Sequence, residues 1–156
     1  MPEIDVHVQF DEALATAARE VLETMFFTTV LDEPPEEAPE PSTELHAKLS
    51  FHGDPSGNFW LGVPERTART IASNFLGAED ESELSQEKVA GVICEMVNMI
   101  CGAALSRIES HSVFRLDTPT LVDEAPQAED GPNVLHCRLS LEEGDLQVFL
   151  QRKGDV

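Results

Sequence analysis

Glu95 and Asn98, a carboxylate and an amide three positions apart, are the residues of this chain best placed for chemistry. A carboxylate accepts hydrogen bonds or pairs with a cation, whereas an amide both accepts and donates. Gly91 precedes the pair by about one helical turn and Gly102 follows it by one, which gives the spacing i, i+4, i+7, i+11. At about 100° per residue, this spacing puts all four residues on one line along a helix. We call this line the polar ridge.

The two glycines of the polar ridge indicate a contact site. A glycine inside a helix costs roughly 1 kcal/mol relative to alanine, and these two face away from the core, so packing does not explain them. They leave the ridge bare, which lets another surface approach Glu95 and Asn98 closely. A solvated outer face is the competing interpretation, because the spacing alone is weak evidence and glutamate is a good helix former.

The helix that carries the ridge is predicted over about 84–109. Its other side is an apolar stripe at three- and four-residue spacing, which is typical of a helix packed on a core. The stripe consists of Val89, Val92, Ile93, Met96, Val97, Ile100 and Ala104. Cys94 and Cys101, one heptad apart on its flank, are expected to be small buried hydrophobic residues.

The charge of the chain limits its partners. Thirty acidic residues against ten basic ones give a net charge of −20. Such a chain has no basic surface for nucleic acid, is repelled by an anionic membrane, and attracts free phosphorylated metabolites poorly. Neither G-x-x-x-x-G-K-[ST] nor G-x-G-x-x-G occurs, which argues against a nucleotide site. Any anionic chemistry therefore needs a partner that supplies the cations.

Length and composition predict one globular domain over 1–156, with 41% hydrophobic residues and enough chain to bury a core. The apolar runs are too short to span a membrane, and the N-terminus shows no secretory signal. Three cysteines without framework spacing fit reduced thiols. We therefore expect a cytoplasmic protein.

The N-terminal region predicts a short strand or extended arm from Ile4 to Phe10, because apolar residues alternate there. Asp11 is then the expected N-cap of a helix over about 12–29. The predicted core stripe of that helix is Leu14, Ala17, Val21, Leu22, Met25 and Phe26. Residues 31–44 combine four prolines with six acidic residues, which predicts a solvated surface loop.

The remaining elements are two hairpins, one helix and a broken strand. Alternating hydrophobicity predicts the hairpin strands over about 45–51, 58–63, 135–141 and 146–150. A helix from Arg66 to Phe75 follows Pro64 and is closed by Gly77, and Pro119 breaks or ends a later strand. Together these elements predict an α+β fold, an antiparallel sheet of about five to six strands covered by two to three helices.

Other residues that could act as nucleophiles or ligands form no motif. The five histidines, His7, His46, His52, His111 and His136, are scattered without zinc-site spacing. Ser106 and Ser110 lack a nucleophile elbow. Phe59 and Trp60 are expected in the core rather than on a binding platform.

The order and sequences of these elements resemble the CheC/CheX/FliY family of chemotaxis phosphatases, and the single-motif CheX branch within it. The resemblance runs from about residue 11 to the last strand. It rests on the helix ending VLETMFF, the hairpin LSFHGDPSGNFWLGV, the helix TARTIASNFLG, the run E-x-x-N-x-x-x-G and DTPTLV. Glu95, Asn98 and Pro119 match the family's signature of Glu, Asn and a proline about twenty residues later. Gly91 departs from it, since the family usually has Asp or Ser there.

The resemblance implies dephosphorylation of a CheY-like receiver domain, the part of a response regulator that carries phosphate on an aspartate. Asn98 would position the attacking water, and Glu95 would pair with a lysine of the receiver. Gly91, Gly102 and Pro119 would belong to the binding surface. The chain would need no cofactor of its own, because the receiver supplies Mg²⁺. The family also implies a homodimer, while the net charge argues against nucleic acid or a membrane as partner.

Two functions of other classes stay open beside this one. The chain is alternatively a noncatalytic adaptor that docks a receiver or switch-complex protein without turnover, an interpretation that the departure at Gly91 favours. A purely structural dimer subunit is the third possibility. Loss of phosphate from a receiver domain, measured with and without this protein, distinguishes the phosphatase from the adaptor.

Overall fold

The fold is built from three helices and six strands in the described part of the chain. The computed structural model describes residues 6–31, 44–53, 56–78, 84–107, 113–123, 134–142 and 144–152, with side chains from residue 12 onward. The elements are α1 (Val6–Met25), β1 (Glu44–His52), β2 (Gly57–Pro64), α2 (Glu65–Leu76), α3 (Gln86–Ser106), β3 (Arg115–Leu116), β4 (Thr120–Val122), β5 (Val134–Leu141) and β6 (Gly144–Arg152). The α+β prediction is confirmed.

The strands form one antiparallel sheet in the order β3–β1–β2–β6–β5, with β4 also pairing with β1. Both predicted hairpins are present, β1 with β2 and β5 with β6. In the centre of the sheet Leu49 lies opposite Phe59, and Phe59 lies opposite Leu150. Because side chains of paired residues point to the same face, this register gathers the large apolar residues of alternate positions on one side.

The three helices cover that apolar side of the sheet. α3 is the central helix, since it packs against α1, α2, β1, β2 and β4. The most deeply buried large side chains come from the three helices, from β1 and β2, and from Phe26 just after α1: Leu14, Leu22, Phe26, Leu49, Phe51, Phe59, Leu61, Ile71, Ile93, Met96 and Ile100. The position of α3 in this core fixes which of its sides remains accessible.

The opposite side of the sheet carries a row of polar and aromatic residues. Lys48, Trp60, Phe149 and His136 face one another across four strands. The Lys48 ammonium lies 5.1 Å from the Trp60 ring centre, and the His136 ring stacks on Phe149 at 4.5 Å. Trp60 is buried, as predicted, but on this side of the sheet and not among the core residues beneath the helices.

The predicted N-terminal strand is wrong. Residues 6–10 are the first turns of α1, and Asp11 lies inside the helix instead of capping it. An alternation only seven residues long does not separate strand from helix. Extending an existing helix adds one hydrogen bond per residue without a new nucleation step, so the helix continues toward the N-terminus. Ile4 lies outside the described residues.

The C-terminal end of α1 comes earlier than predicted, at Met25 instead of about residue 29. Phe27 has φ = 56°, a left-handed conformation that stops a helix and is unusual for a bulky residue. The chain then turns, and Val30 pairs with Leu141 at the edge of the sheet. Met25, predicted in the core stripe, is 42% exposed. The predicted acidic loop at 31–44 lies outside the described residues, except at its two ends.

α3 lies within the predicted range of about 84–109 and is apolar over most of its length. Its mean hydropathy of 1.7 over an 18-residue window meets the requirements for a membrane-spanning helix by length and composition. Nine of its residues are nevertheless buried in the domain: Val89, Val92, Ile93, Met96, Val97, Ile100, Cys101, Ala104 and Leu105. The apolar composition of α3 is therefore accounted for by its central place in the core.

Candidate functional site

The polar ridge lies on the accessible side of α3, as predicted. Ser85 caps the helix by accepting a hydrogen bond from the Lys88 backbone N–H at 3.2 Å, and such caps satisfy one of the unpaired N–H groups of the first turn. The apolar stripe of α3 is buried against α1, α2 and the sheet. Gly91, Glu95 and Asn98 on the other side are exposed.

Glu95 and Asn98 present their polar groups to solvent side by side. They are three residues apart on the helix, the spacing at which side chains are neighbours on a helix surface. Neither side chain makes a hydrogen bond or ion pair with any residue in the described part of the chain. The carboxylate and the amide are both available to an incoming partner.

The two glycines of the ridge have different surroundings. A Cβ atom built on Gly91 meets nothing within 4 Å, so the helix surface there is bare. Gly102 is half-buried, and a Cβ built on it lies 4.0 Å from a methyl carbon of Leu116 in β3. The ridge is therefore open at its Gly91 end and bordered by β3 at its Gly102 end.

Pro119 lies on the sheet and not on the helix that carries the polar ridge. It is half-buried in the link between β3 and β4, which confirms the predicted break in that strand. Both short strands pair with β1, and β4 also packs against α3. The structure thus places Pro119 at the sheet edge on the side of α3, while Glu95, Asn98 and the two glycines share the helix itself.

A groove between α2 and α3 extends the site in a direction that the sequence did not predict. It has a volume of about 430 Å³ and is lined by Phe75, Leu76, Leu84, Lys88, Gly91, Val92 and Glu95. We call it the α2–α3 groove. Lys88 lies three residues before Gly91, so continuing the spacing of the ridge by one more turn would have found it. The periodicity of α2 or of α3 alone, however, does not indicate which residues of α2 pack opposite α3.

The other cysteines and histidines whose side chains the structure describes show no catalytic arrangement. Burial raises the pKa of the Cys101 thiol strongly and that of Cys94 to a smaller extent, so both remain protonated and weakly nucleophilic at neutral pH. Three histidines contact neighbouring polar side chains: His46 with Glu44, His52 with Asp117 and His136 with Gln147. Within the described ranges no three His, Cys, Asp or Glu residues are placed to hold a metal ion.

Of the two serines and the other two histidines, only the side chain of Ser106 lies in the described part of the chain. The Ser106 hydroxyl donates to the carbonyl of Ala103, one turn back in its own helix, at 2.9 Å. Ser110, His111 and the side chain of His7 lie outside the described part of the chain.

Solved structures of chemotaxis proteins share this fold. CheX of Desulfovibrio desulfuricans superposes with a TM-score of 0.72 at 18% identity, covering 93% of this chain and 99% of that one. CheX of Vibrio vulnificus gives 0.72 at 20% identity, with 96% and 100% covered. The CheX–CheY–BeF3–Mg²⁺ complex of Borrelia burgdorferi gives 0.74 at 20% identity, with 97% and 100% covered. At these identities the likeness shows the fold.

A match to a family model shows the family to which the chain belongs. No curated protein sequence matches this chain. The model of the chemotaxis phosphatase CheX, in contrast, matches residues 46–136, which is more than half of the chain and includes most of β1 as well as β2, α2 and the whole of α3 with its polar ridge. The chain belongs to the CheX family.

Proposed function

We propose that this protein is a phosphatase that removes the phosphoryl group from the aspartate of a CheY-like receiver domain in the cytoplasm. The observation that carries the proposal is the juxtaposition of Glu95 and Asn98 on an exposed helix surface next to the bare backbone of Gly91, with neither side chain bonded to another described residue. Membership of the CheX family supports it. A solved CheX relative in complex with CheY and beryllofluoride supports the choice of partner.

The polar ridge needs to supply no nucleophile of its own, because an acyl phosphate is already activated toward attack by water. Positioning a water in line and stabilising charge are sufficient for phosphoryl transfer. The oxygen of the water attacks phosphorus, and the phosphorus–oxygen bond to the aspartate breaks. The carboxylate leaves with the electron pair, and the water's proton goes to the departing phosphate or to solvent. The products are inorganic phosphate and the free aspartate.

Asn98 suits the water-positioning step. Its Oδ1 accepts a hydrogen bond from the water while its Nδ2 donates to a phosphoryl oxygen. The amide carries no charge, so it approaches the phosphoryl group without the repulsion that a carboxylate would bring. Because α3 is a rigid, buried helix, the amide is held on a fixed scaffold, which is what orientation-based catalysis requires.

Glu95 suits the docking step. One turn from Asn98, its carboxylate would pair with a lysine of the receiver and set the register between the two proteins. A charge-assisted pair of this kind, desolvated in an interface, orients both partners. Mg²⁺ held in the receiver's own site would neutralise charge on the phosphoryl group, which makes a protein of net charge −20 tolerable as its partner.

The test is acceleration of phosphate loss from purified CheY-like receivers encoded in the same genome. Each receiver is phosphorylated, and its phosphate is followed with and without this protein. Acceleration for at least one receiver supports the proposal. Binding without acceleration selects the adaptor that the departure at Gly91 favours. Neither binding nor acceleration with any receiver would overturn both.

We also propose a homodimer, joined through a sheet edge. One edge is β5, against which Val30 and Leu31 already lie near Leu141. The other consists of the short strands β3 and β4 on either side of Pro119, and unpaired backbone at a sheet edge is available to a second copy. Light scattering of the purified protein measures the mass directly, and a monomer at micromolar concentration would exclude the dimer.

A further inference from the structure

The α2–α3 groove is continuous with the polar ridge, because Gly91 and Glu95 belong to both. Its other walls are mainly apolar and come from the end of α2 and the beginning of α3. Leu76, the last residue of α2, is 48% exposed there. A large exposed apolar residue beside a concave apolar surface is typical of a contact site.

Lys88 stands at the groove in a position that helix stability does not explain. It is the third residue of α3 after the N-cap Ser85. Glutamate or glutamine at this position completes a capping box, whereas a cation there opposes the positive end of the helix dipole. Among the described residues its ammonium makes no ion pair. The charge of Lys88 is therefore exposed at the mouth of the groove, in a chain with thirty acidic residues and ten basic ones.

We propose that the α2–α3 groove receives an apolar side chain of the phosphorylated receiver and that Lys88 pairs with a carboxylate next to it. The inference rests on the proposed function and deepens it. Lys88 and Glu95 are seven residues apart, about 10 Å along the helix, with the apolar wall between them. The site therefore selects a receiver surface in the order acid, apolar residue, base, which is a means of choosing one receiver among many.

Two substitutions test the groove without removing core residues. Leu76→Gln keeps a helix-forming residue but loses the apolar contact, and we expect the Kd for the receiver bound to Mg²⁺ and beryllofluoride to rise about fivefold. Lys88→Glu reverses the charge, and we expect a Kd increase of about fivefold or more at low salt that shrinks at high salt. Because it completes the capping box, Lys88→Glu keeps the Tm at or above that of the wild type.

Matched controls separate the groove from general effects. Met25→Gln replaces an apolar residue of similar exposure at the end of α1 that is not among the residues lining the groove. Lys48→Glu makes the same charge change on the side of the sheet that faces away from the helices. Both are expected to bind the receiver as the wild type does.

The outcomes distinguish this inference from the proposed function. Weaker binding by Leu76→Gln and Lys88→Glu, with the loss falling on KM and the controls unaffected, supports the groove as a receptor site. Wild-type binding by both variants, while the wild-type protein still accelerates phosphate loss, overturns the groove and leaves the proposed function standing. If the wild-type protein neither binds nor dephosphorylates any receiver, both fall together.

Discussion

Asn98 follows Glu95 by three residues on the exposed side of α3, and neither side chain is held by a hydrogen bond or ion pair within the described part of the chain. The opposite side of α3 is buried, because its apolar stripe packs against both other helices and the sheet. A carboxylate and an amide are therefore presented on a rigid support with their hydrogen-bonding capacity unused. In the proposed function the receiver domain uses that capacity.

Removal of the Glu95 charge tests the docking role of this residue. We expect Glu95→Gln to raise the Kd for an activated receiver by about 30-fold or more, since removing the charge of one member of a desolvated pair typically costs 2–5 kcal/mol. Glu87→Gln, an equal charge change at an exposed position in the first turn of α3, is the matched control. Titration calorimetry with both variants gives the comparison, and equal affinities for the two would remove Glu95 from the interface.

Gly91 allows stability and activity to be separated. Gly91→Ala should raise the free energy of unfolding by up to about 1 kcal/mol, because the added Cβ meets nothing within 4 Å. Gly91→Leu should fold equally well but hold the receiver away from the ridge, lowering the rate of phosphate loss by about 100-fold. Urea unfolding and the phosphatase assay measure the two effects. Wild-type activity in Gly91→Leu would show that the bare helix surface is not the contact.

Because the Cys101 thiol is buried, we expect the protein to lose stability at alkaline pH. Burial raises the pKa of this thiol in the folded protein, so the folded state holds the proton longer than the unfolded state does. The protonated thiol makes its full contribution to the free energy of unfolding below the ordinary thiol pKa of about 8.5. Above that pH the contribution decreases by up to about 1.4 kcal/mol per pH unit. Urea unfolding between pH 7.5 and 10.5 should show a steeper decline for the wild type than for Cys101→Ala. Parallel declines would mean that the thiol ionises equally in both states.

Periodicity predicted the elements whose pattern is long or strict. The stripe of α3 repeats over several turns, and the hairpins alternate on one face, so both were found together with the ridge at Glu95 and Asn98. Gly77 was predicted to end α2 because glycine is common after the last helical residue. It adopts the left-handed conformation there, with φ = 68°. These signals are local to one segment, and the sequence displays them directly.

The predictions that failed depended on information that is not contained in any single segment of the sequence. The strand predicted from Ile4 to Phe10 failed because seven alternating residues compete poorly with helix extension. The early end of α1 follows from a left-handed Phe27, which its residue type does not signal. The α2–α3 groove arises only when Leu76 and Lys88 are brought together by packing, and the period of either helix alone does not show which residues face each other.

The most direct measurement is the single-turnover rate of phosphate loss from a receiver that the wild-type protein accelerates, compared with the Asn98→Ala variant at saturating concentration. The account predicts a rate at least about 100-fold lower, since removing one positioned polar group costs 10²–10³-fold in comparable sites, with a Kd within threefold of the wild type. Asn98 is exposed, so the variant should fold normally. Full acceleration by Asn98→Ala would contradict the assignment of the amide to the attacking water.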